Sequence, residues 1–369
     1  MKKKLFIINQ IKKYFNKRYL IIKKTKKDEE SNIGSIARTL LASLLIISFF
    51  SISPIIIDFT KSTSFLTAEF DNNSKNDLKK LLEKKDKESD NFLNKFLFED
   101  IILFDEKPTD SVRLSAATIV ELFKSTNYSL KDVRKNKLVK PISLTSLPNE
   151  IKKIENTKKR KNLFIQIILP LVIKENNNIK LDRKKLFSIL NKSKNTKAEK
   201  IWLNSKFKQY GVANKDLSTL KIRMDEVPVS MAIAQAAKET GWGTSRFAQE
   251  GNALFGQWTW SGEGIKPTDA DTDSKHKVMK FKILQASVRA YQRNLNTHSS
   301  YKDFRSARAE LRYENKKLDS MILTEYLDKY AEIGEEYVKV LQQIIKQNNL
   351  TDFDDAKLLP SSIDLESLI

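Results

Sequence analysis

A long stretch without charged residues, mostly apolar, lies near the amino terminus, from Leu40 to Ile57. As a helix its 18 residues would rise about 1.5 Å each and nearly cross the roughly 30 Å hydrocarbon core of a bilayer. Residues 1–38 hold 12 basic and 3 acidic side chains, an excess that is typical of cytoplasmic segments. The pattern predicts a basic cytoplasmic tail over 1–38, a transmembrane signal anchor over 39–58, and export of the residues that follow. A cleaved signal peptide and a buried core helix are the alternatives.

Helical periodicity dominates the chain after the anchor. It predicts a stalk with an accessory helix over 59–140, the helix lying at 112–124, and a helical accessory region over 141–224. Three consecutive asparagines at 176–178 are expected to break the helical pattern. A shorter apolar run at 163–173 has only 11 residues, too few to cross a bilayer, and therefore predicts a core helix.

The pattern differs in residues 225–350, which we interpret as a separate domain followed by a tail over 351–369. Residues 228–241 begin with Pro and end with Gly, as is typical of a single helix. Apolar residues alternate with lysines over 279–283, which predicts a half-buried strand. With residues 254–259 this strand would form a small antiparallel sheet. The sequence therefore predicts a mainly α (α+β) fold with a small β lobe.

The formal net charge of +21 is not spread evenly. Residues 39–224 carry a net +15, whereas residues 225–369 carry a net −3. Of the 67 basic side chains, 54 are Lys and 13 are Arg, although base readout and bidentate phosphate contacts favour Arg. We therefore do not expect nucleic-acid binding. A role for the basic residues 61–224 on an anionic membrane surface is an alternative.

The chain has no Cys and two His, and His276 and His298 are far apart in sequence. The absence of Cys excludes disulfides, zinc fingers, iron–sulfur clusters and Cys nucleophiles. We therefore predict no metal site and no cofactor.

Glycine and tryptophan are concentrated in one segment. Six of the nine Gly and three of the four Trp lie in residues 241–264. Glycine permits unusual backbone and close approach, and tryptophan offers a large stacking surface. The segment is therefore a candidate site, with a tightly folded loop as the alternative.

Glu239 lies in the last turn of the predicted 228–241 helix. The negative end of the helix dipole disfavours its ionisation, and desolvation by Trp242 would act in the same direction, so both would raise its pKa. A carboxylic acid that stays protonated near neutral pH is what a glycosidase needs to protonate a leaving oxygen. An exposed glutamate at a helix end is the alternative.

Several residues near Glu239 are candidates for contacting a sugar. Phe255, Trp258 and Trp260 offer aromatic faces, although each has the core as its alternative. Tyr291 and Asn294 lie three positions apart on one predicted helix face, so both are expected to reach the same groove. The candidate substrate-binding residues are Trp242, Phe255, Gln257, Trp258, Tyr291 and Asn294.

Residues 234–248 read Ala-Gln-Ala-Ala-Lys-Glu-Thr-Gly-Trp-Gly-Thr-Ser-Arg-Phe-Ala, and residues 251–258 read Gly-Asn-Ala-Leu-Phe-Gly-Gln-Trp. These joined motifs resemble the bacterial Bax-like proteins of the mannosyl-glycoprotein endo-β-N-acetylglucosaminidase-like family, the family 73 glucosaminidases. Residues 290–298 and the surroundings of Tyr337 resemble it too, so the resemblance covers about residues 140–350.

The resemblance implies a lysozyme-like fold that hydrolyses the β-1,4 bond after N-acetylglucosamine in peptidoglycan. Under this resemblance Glu239 is the general acid, and Tyr337 supports the sugar or the attacking water. The expected partners are peptidoglycan glycan strands and, through one N-terminal span, a membrane.

The second catalytic carboxylate is not assigned by the sequence. Many relatives carry an acidic residue after the His of the following strand, but here Lys277 follows His276. Inverting, retaining and substrate-assisted mechanisms all stay open, as does a non-catalytic peptidoglycan-binding or scaffold protein. The candidates for this second carboxylate are Glu263, Asp269, Asp271 and Asp273.

Overall fold

The computed structural model of the protein describes Ile101 and residues 112–259, 264–266 and 277–360. The tail and anchor predicted over 1–58, and most of the predicted stalk, lie outside these residues. Within the described ranges no helix is both long enough and apolar enough to span a membrane.

The described part of the chain is mainly helical with few strands, which is the arrangement expected of a lysozyme-like domain. Numbered in chain order, the helices are α1 (Ala116–Ser125), α2 (Leu130–Asn136), α3 (Thr157–Leu190), α4 (Lys197–Gln209), α5 (Leu217–Arg223), α6 (Val229–Thr240), α7 (Arg246–Gly251), α8 (Leu284–Thr297), α9 (Lys302–Tyr313), α10 (Ser320–Thr324) and α11 (Glu335–Gln347). The strands are β1 (Leu138–Val139), β2 (Trp258–Thr259), β3 (Gly264–Ile265), β4 (Lys277–Met279) and β5 (Lys357–Leu358). Short 3₁₀ turns cover Asn149–Lys153, Ser299–Tyr301, Glu325–Tyr330 and Leu350–Phe353.

Helix α6 is the centre of the hydrophobic core. It begins after Pro228 and ends at Gly241, as the sequence predicts. Ten of its 12 residues are buried, and its alanines let α3 and α11 pack closely against it. A helix buried on nearly every side holds its side chains in fixed positions. Its last turn is therefore a rigid platform for Glu239.

Helix α3 runs for 34 residues through the three asparagines that were expected to break it, so that prediction is wrong. The side chain of Asn176 is buried and bridges to a distant backbone: its Nδ2 donates to the Val227 carbonyl at 2.7 Å, and its Oδ1 accepts from the Val227 amide at 3.2 Å. Asparagine breaks helices chiefly by bonding to its own nearby backbone. Here the amide is used across the fold instead. The apolar run at 163–173 is part of α3 and is buried in the hydrophobic core, as predicted.

The small antiparallel sheet is present in the order β2-β4-β3, with Trp258 opposite Val278. Its central strand covers Lys277–Met279 rather than the predicted 279–283, so the predicted position is wrong by two residues at the start and four at the end. The reason lies after the strand, where the Phe281 amide donates to the Gly251 carbonyl at 2.8 Å. Asn252 also binds the Phe281 carbonyl at 3.1 Å. These contacts turn the chain out of the sheet.

The accessory region and the 225–350 region share one hydrophobic cluster, which includes residues from Ala116 to Ala356. A buried ion pair joins them as well. Arg289 of α8 donates from Nε and Nη2 to the two carboxylate oxygens of Glu175 on α3, both at 3.1 Å. Bidentate pairs of this kind fix geometry as well as charge. Helix α3 therefore supports the core from which Glu239 projects.

Residues 351–360 of the predicted tail are packed on the same core. Strand β5 pairs in parallel with β1, and Phe353 is buried. The Asp354 carboxylate accepts hydrogen bonds from the amide and the hydroxyl of Ser230, both at 2.8 Å. Since Ser230 lies in the first turn of α6, this C-terminal segment caps the central helix.

Asp354→Asn tests this cap. Burial raises the pKa of Asp354 from 3.8 to about 6, against the hydrogen bonds from Ser230. A raised pKa in the folded state means that the protonated form adds stability below about pH 4, which is lost as the pH rises through about 6. Urea unfolding of both proteins from pH 4 to 7 should therefore show the wild type losing on the order of 2 kcal/mol relative to Asp354→Asn. A difference in stability that does not change with pH would show that the pKa of Asp354 is not raised in the folded protein. The matched control is Asp328→Asn, at an exposed position.

Candidate active site

The turn after α6 is built by the Gly-Trp-Gly motif. Gly241, Trp242 and Gly243 have φ values of 56°, 62° and 85°, a left-handed conformation that favours glycine. A Cβ on Gly243 would lie 3.0 Å from the ring of Phe164 on α3, which is tighter than ordinary contact. The motif is therefore required to end α6 at this point and to seat the turn against α3.

Glu239 is half-buried in the last turn of α6, between two other parts of the chain. The Tyr337 hydroxyl, from the first turn of α11, donates to Glu239 Oε1 at 2.8 Å. On the other side, Gly256 has a φ of 60°, and a Cβ there would lie 3.2 Å from Glu239 Oε2. Glycine at this position leaves one carboxylate oxygen accessible next to the loop before β2.

A buried chain of hydrogen bonds lies behind Tyr337. The Gln235 Nε2 donates to the Tyr337 hydroxyl at 3.1 Å, and the Tyr291 hydroxyl donates to Gln235 Oε1 at 2.5 Å. Gln235 is 0% exposed. Because the Tyr337 oxygen accepts from Gln235 and carries a single proton, that proton is directed to Glu239. The sequence analysis did not identify Gln235, whose partners are 56 and 102 residues away.

Four tyrosines lie close enough to Glu239 for its charge to raise their pKa values: Tyr291, Tyr301, Tyr330 and Tyr337. Tyr330 stacks on Tyr337 with ring centroids 5.5 Å apart, and its hydroxyl donates to the Phe255 carbonyl at 2.7 Å. Burial raises the pKa of each, that of Tyr301 to about 12, so they are neutral at physiological pH. The wall around Glu239 therefore offers hydroxyl groups and ring faces without charge. Sequence reasoning missed Tyr301 and Tyr330, which lie in no recognisable motif.

Burial is the largest influence on Glu239 and raises the pKa of its carboxyl group. The hydrogen bond from Tyr337 and the charge of Lys238 both lower the pKa, but by less. The direction agrees with the sequence prediction. Two opposing influences thus act on the carboxyl group, and burial, the larger one, makes the net shift of its pKa upward.

Trp242, which was expected to desolvate Glu239, packs against the accessory helix α3. Its ring meets Phe164 edge to face at 5.9 Å, and the Lys161 ammonium lies 4.8 Å from the ring centroid. These contacts stabilise the turn below the site. A contact between Trp242 and a sugar stays a prediction.

Among the other predicted sugar-binding residues, the structure separates core from surface. Phe255 and Tyr291 are buried and stack on each other at 3.8 Å, so Phe255 belongs to the core, the alternative that the sequence left open. Trp258 is 46% exposed on β2. Gln257 donates to the Ala290 carbonyl at 3.2 Å, and the half-buried Asn294 is hydrogen-bonded to Tyr301. Among the predicted rings that the structure describes, Trp258 is therefore the most accessible.

The candidates for a second carboxylate, together with Trp260, lie outside the described residues. In the described ranges, the side chains that shift the pKa of Glu239 are those of Tyr337 and Lys238, and neither is a carboxylate. No group of three or more His, Cys, Asp or Glu in those ranges is arranged to hold a metal ion. The described site thus contains one carboxyl group and a set of neutral hydrogen-bonding partners.

Comparison with known proteins identifies the class. Residues 217–350 match the family model described as mannosyl-glycoprotein endo-beta-N-acetylglucosaminidase, and this range contains both Glu239 and Tyr337. The chain belongs to this glucosaminidase family and is a glycosidase-type enzyme. It is 31% identical over 210 residues to Protein bax of Escherichia coli (strain K12), a similarity that covers 55% of this chain and 75% of that protein. No solved structure matches the chain.

Tyr337→Phe tests the link between the two central residues. It removes the hydrogen bond that stabilises the Glu239 carboxylate, so we expect the pKa of Glu239 to rise further above its ordinary value. The measurement is an NMR titration of protein with ¹³C-labelled glutamate side chains. Tyr330→Phe is the matched control, because its hydroxyl binds the Phe255 carbonyl and not Glu239. An unchanged or lowered pKa in Tyr337→Phe would show that the hydrogen bond does not stabilise the carboxylate.

Proposed function

We propose that the protein hydrolyses β-1,4 glycosidic bonds of N-acetylglucosamine in peptidoglycan, with Glu239 as the general acid. The observation that carries this proposal is the environment of Glu239. Its carboxyl group is desolvated, accepts a hydrogen bond from Tyr337 and lies at the end of a helix of which ten of 12 residues are buried. Membership of the glucosaminidase family supports the reaction class.

In the proposed reaction Glu239 is protonated when the glycan binds. It transfers this proton to the glycosidic oxygen as the bond between that oxygen and the anomeric carbon breaks, and the electron pair of the bond stays with the oxygen. The anomeric carbon forms its new bond to the oxygen of a water molecule, either directly or after attack by a nucleophile, and the proton released by the water is taken up by a carboxylate. Glu239 is then a carboxylate. The Tyr337 hydrogen bond stabilises this product of the proton transfer, since charge-assisted hydrogen bonds are stronger than neutral ones.

Tyr337 also orients the acid. Because Gln235 and Tyr291 fix the direction of the Tyr337 proton, the donor that faces Glu239 does not rotate away. The hydrogen bond occupies Oε1 and leaves Oε2, next to Gly256, as the oxygen that faces the substrate. Preorganised groups of this kind need no rearrangement when charge develops. Trp258 is the proposed sugar-stacking ring.

The proposed location is the inner membrane, with the hydrolase in the periplasm. The support is the uncharged run of 18 residues between Leu40 and Ile57, preceded by a tail with 12 basic and 3 acidic side chains. An anchor of this kind would hold the enzyme next to the cell wall that contains its substrate.

A non-catalytic peptidoglycan-binding protein is the second candidate. It is favoured by Lys277, which begins β4 where many relatives carry an acidic residue. A protein without a base or nucleophile would still hold the glycan among its tyrosines. The two candidates differ in whether reducing ends are released from peptidoglycan.

Glu239→Gln separates them. The amide keeps the shape of the side chain but has no acidic proton to donate. Release of reducing ends from purified peptidoglycan should therefore fall by about 10²–10⁴-fold. The matched control is Glu310→Gln on α9, an exposed glutamate outside the proposed site, which should retain wild-type activity. Wild-type activity in Glu239→Gln would show that Glu239 is not the acid. Binding of peptidoglycan by the wild type without any release would favour the second candidate.

A further inference from the structure

A cavity of about 860 Å³ lies beside α7, on the far side of the Gly-Trp-Gly turn in sequence from Glu239. We call it the side pocket. Its walls come from the segment before α1, the 3₁₀ turn Asn149–Lys153 and residues 244–250, which include most of α7. The residues that line it include Arg113, Lys152, Lys153, Thr244, Arg246 and Gln249. The reaction proposed above uses none of these residues.

The side pocket has an excess of positive charge. It contains four cationic side chains and two acidic ones, Glu150 and Glu250. Glu250 lies 3.7 Å from Arg246, and Glu150 accepts from the Ala116 amide at 3.4 Å. Within the described residues, the three remaining cations of the pocket have no carboxylate partner in ion-pair distance. The pocket therefore suits a ligand that carries carboxylates.

Arg113 is held in place for such a ligand. Its Nη2 donates to the Gln249 carbonyl at 2.6 Å, and its Nη1 donates to the Asn149 side chain. These neutral partners fix the guanidinium without neutralising its charge. A guanidinium in a fixed orientation binds a carboxylate with a smaller loss of side-chain freedom than a mobile one.

Gln249 fixes the wall of the pocket. The side chain is 7% exposed, and its Nε2 donates to the Gly243 carbonyl at 2.7 Å. Its backbone carbonyl accepts from Arg113, so Gln249 joins Arg113 to the turn that ends α6. An acidic peptide attached to a glycan would offer the carboxylates that the cations of the pocket lack.

The side pocket lies within reach of a peptide attached to the glycan. The Thr244 amide donates to the Thr240 carbonyl at 2.9 Å, and Thr240 directly follows Glu239. Adding standard bond lengths places the Thr244 Cα within about 11 Å of the Glu239 Cα. An extended peptide of four residues spans about 13–14 Å, which is enough to bridge this distance.

We propose that the side pocket binds the acidic stem peptide of the glycan that Glu239 cleaves. This inference rests on the proposed function and deepens it, because it makes peptide-bearing glycan the preferred substrate. The glycan positions the scissile bond at Glu239, while Arg113 and the two lysines bind carboxylates of the peptide.

The test is calorimetric binding of two probes to the full-length chain in the Glu239→Gln background, which leaves both probes intact. One probe is the N-acetylglucosamine–N-acetylmuramic acid disaccharide with its tetrapeptide, and the other is the same disaccharide without peptide. We expect the peptide to strengthen binding about tenfold, and Arg113→Ala to remove most of this gain. Lys152→Ala should remove part of it, and provides a second variant should Arg113→Ala not fold.

The matched control is Lys131→Ala, an exposed cation of α2 outside the side pocket, for which both affinities should be unchanged. Equal affinity for the two probes, or a peptide-dependent gain that survives in both Arg113→Ala and Lys152→Ala, would overturn the inference. Cleavage of peptide-free chitooligosaccharide by the wild type reports on the proposed function alone. Cleavage together with equal probe affinities would therefore reject the side pocket and retain the hydrolase.

Discussion

The hydrogen bond between Tyr337 and Glu239 depends on the packing of α11 against α6, and the rest of the core maintains that packing. A carboxyl group at the end of a buried helix is unfavourable when charged, so it needs a donor that is equally fixed. Tyr337 supplies this donor. Gln235, one turn before Glu239 on the same helix, donates to the Tyr337 oxygen and accepts from Tyr291, so the Tyr337 proton is left for Glu239. One turn of α6 thus carries both the acid and the residue that directs the partner of the acid.

The two ends of α6 are held by parts of the chain that lie outside residues 225–350. At its start, Asp354 of the C-terminal segment caps Ser230. At its end, Gly243 lies against Phe164 of α3, and Trp242 packs against the same ring. The accessory helices and the C-terminal segment are therefore part of the support of the site. A change in either is expected to act on Glu239 through α6, because close-packed helices transmit displacement rather than absorb it.

Local signals in the sequence predicted the central helix and missed the contacts that make it useful. Proline before α6, glycine after it and the alanines within it act over one helix length, so α6 and the position of Glu239 in its last turn were predictable. The roles of Gln235, Tyr330 and Asn176 depend on partners that are distant in sequence and were not predictable from one chain. Asn176 shows the difference most clearly. Its residue type predicts a helix break, but its buried bridge to Val227 makes it part of a continuous helix.

The uneven distribution of charge along the chain corresponds to the different roles proposed for the region around Glu239 and for the basic region before residue 225. The residues that hydrogen-bond to and surround the Glu239 carboxyl group are mainly neutral tyrosines and a glutamine, and the one cation that acts on it, Lys238, lowers its pKa by less than burial raises it. Under the proposed function, a fixed cation closer to Glu239 would hold the carboxyl group ionised, so cations that bind an acidic part of the substrate would have to lie at a distance. In this fold Arg113, Lys152 and Lys153 lie in the basic region before residue 225, across the turn that ends α6. Under both proposals, this separation would let one substrate contact neutral side chains at its sugar and basic ones at its peptide.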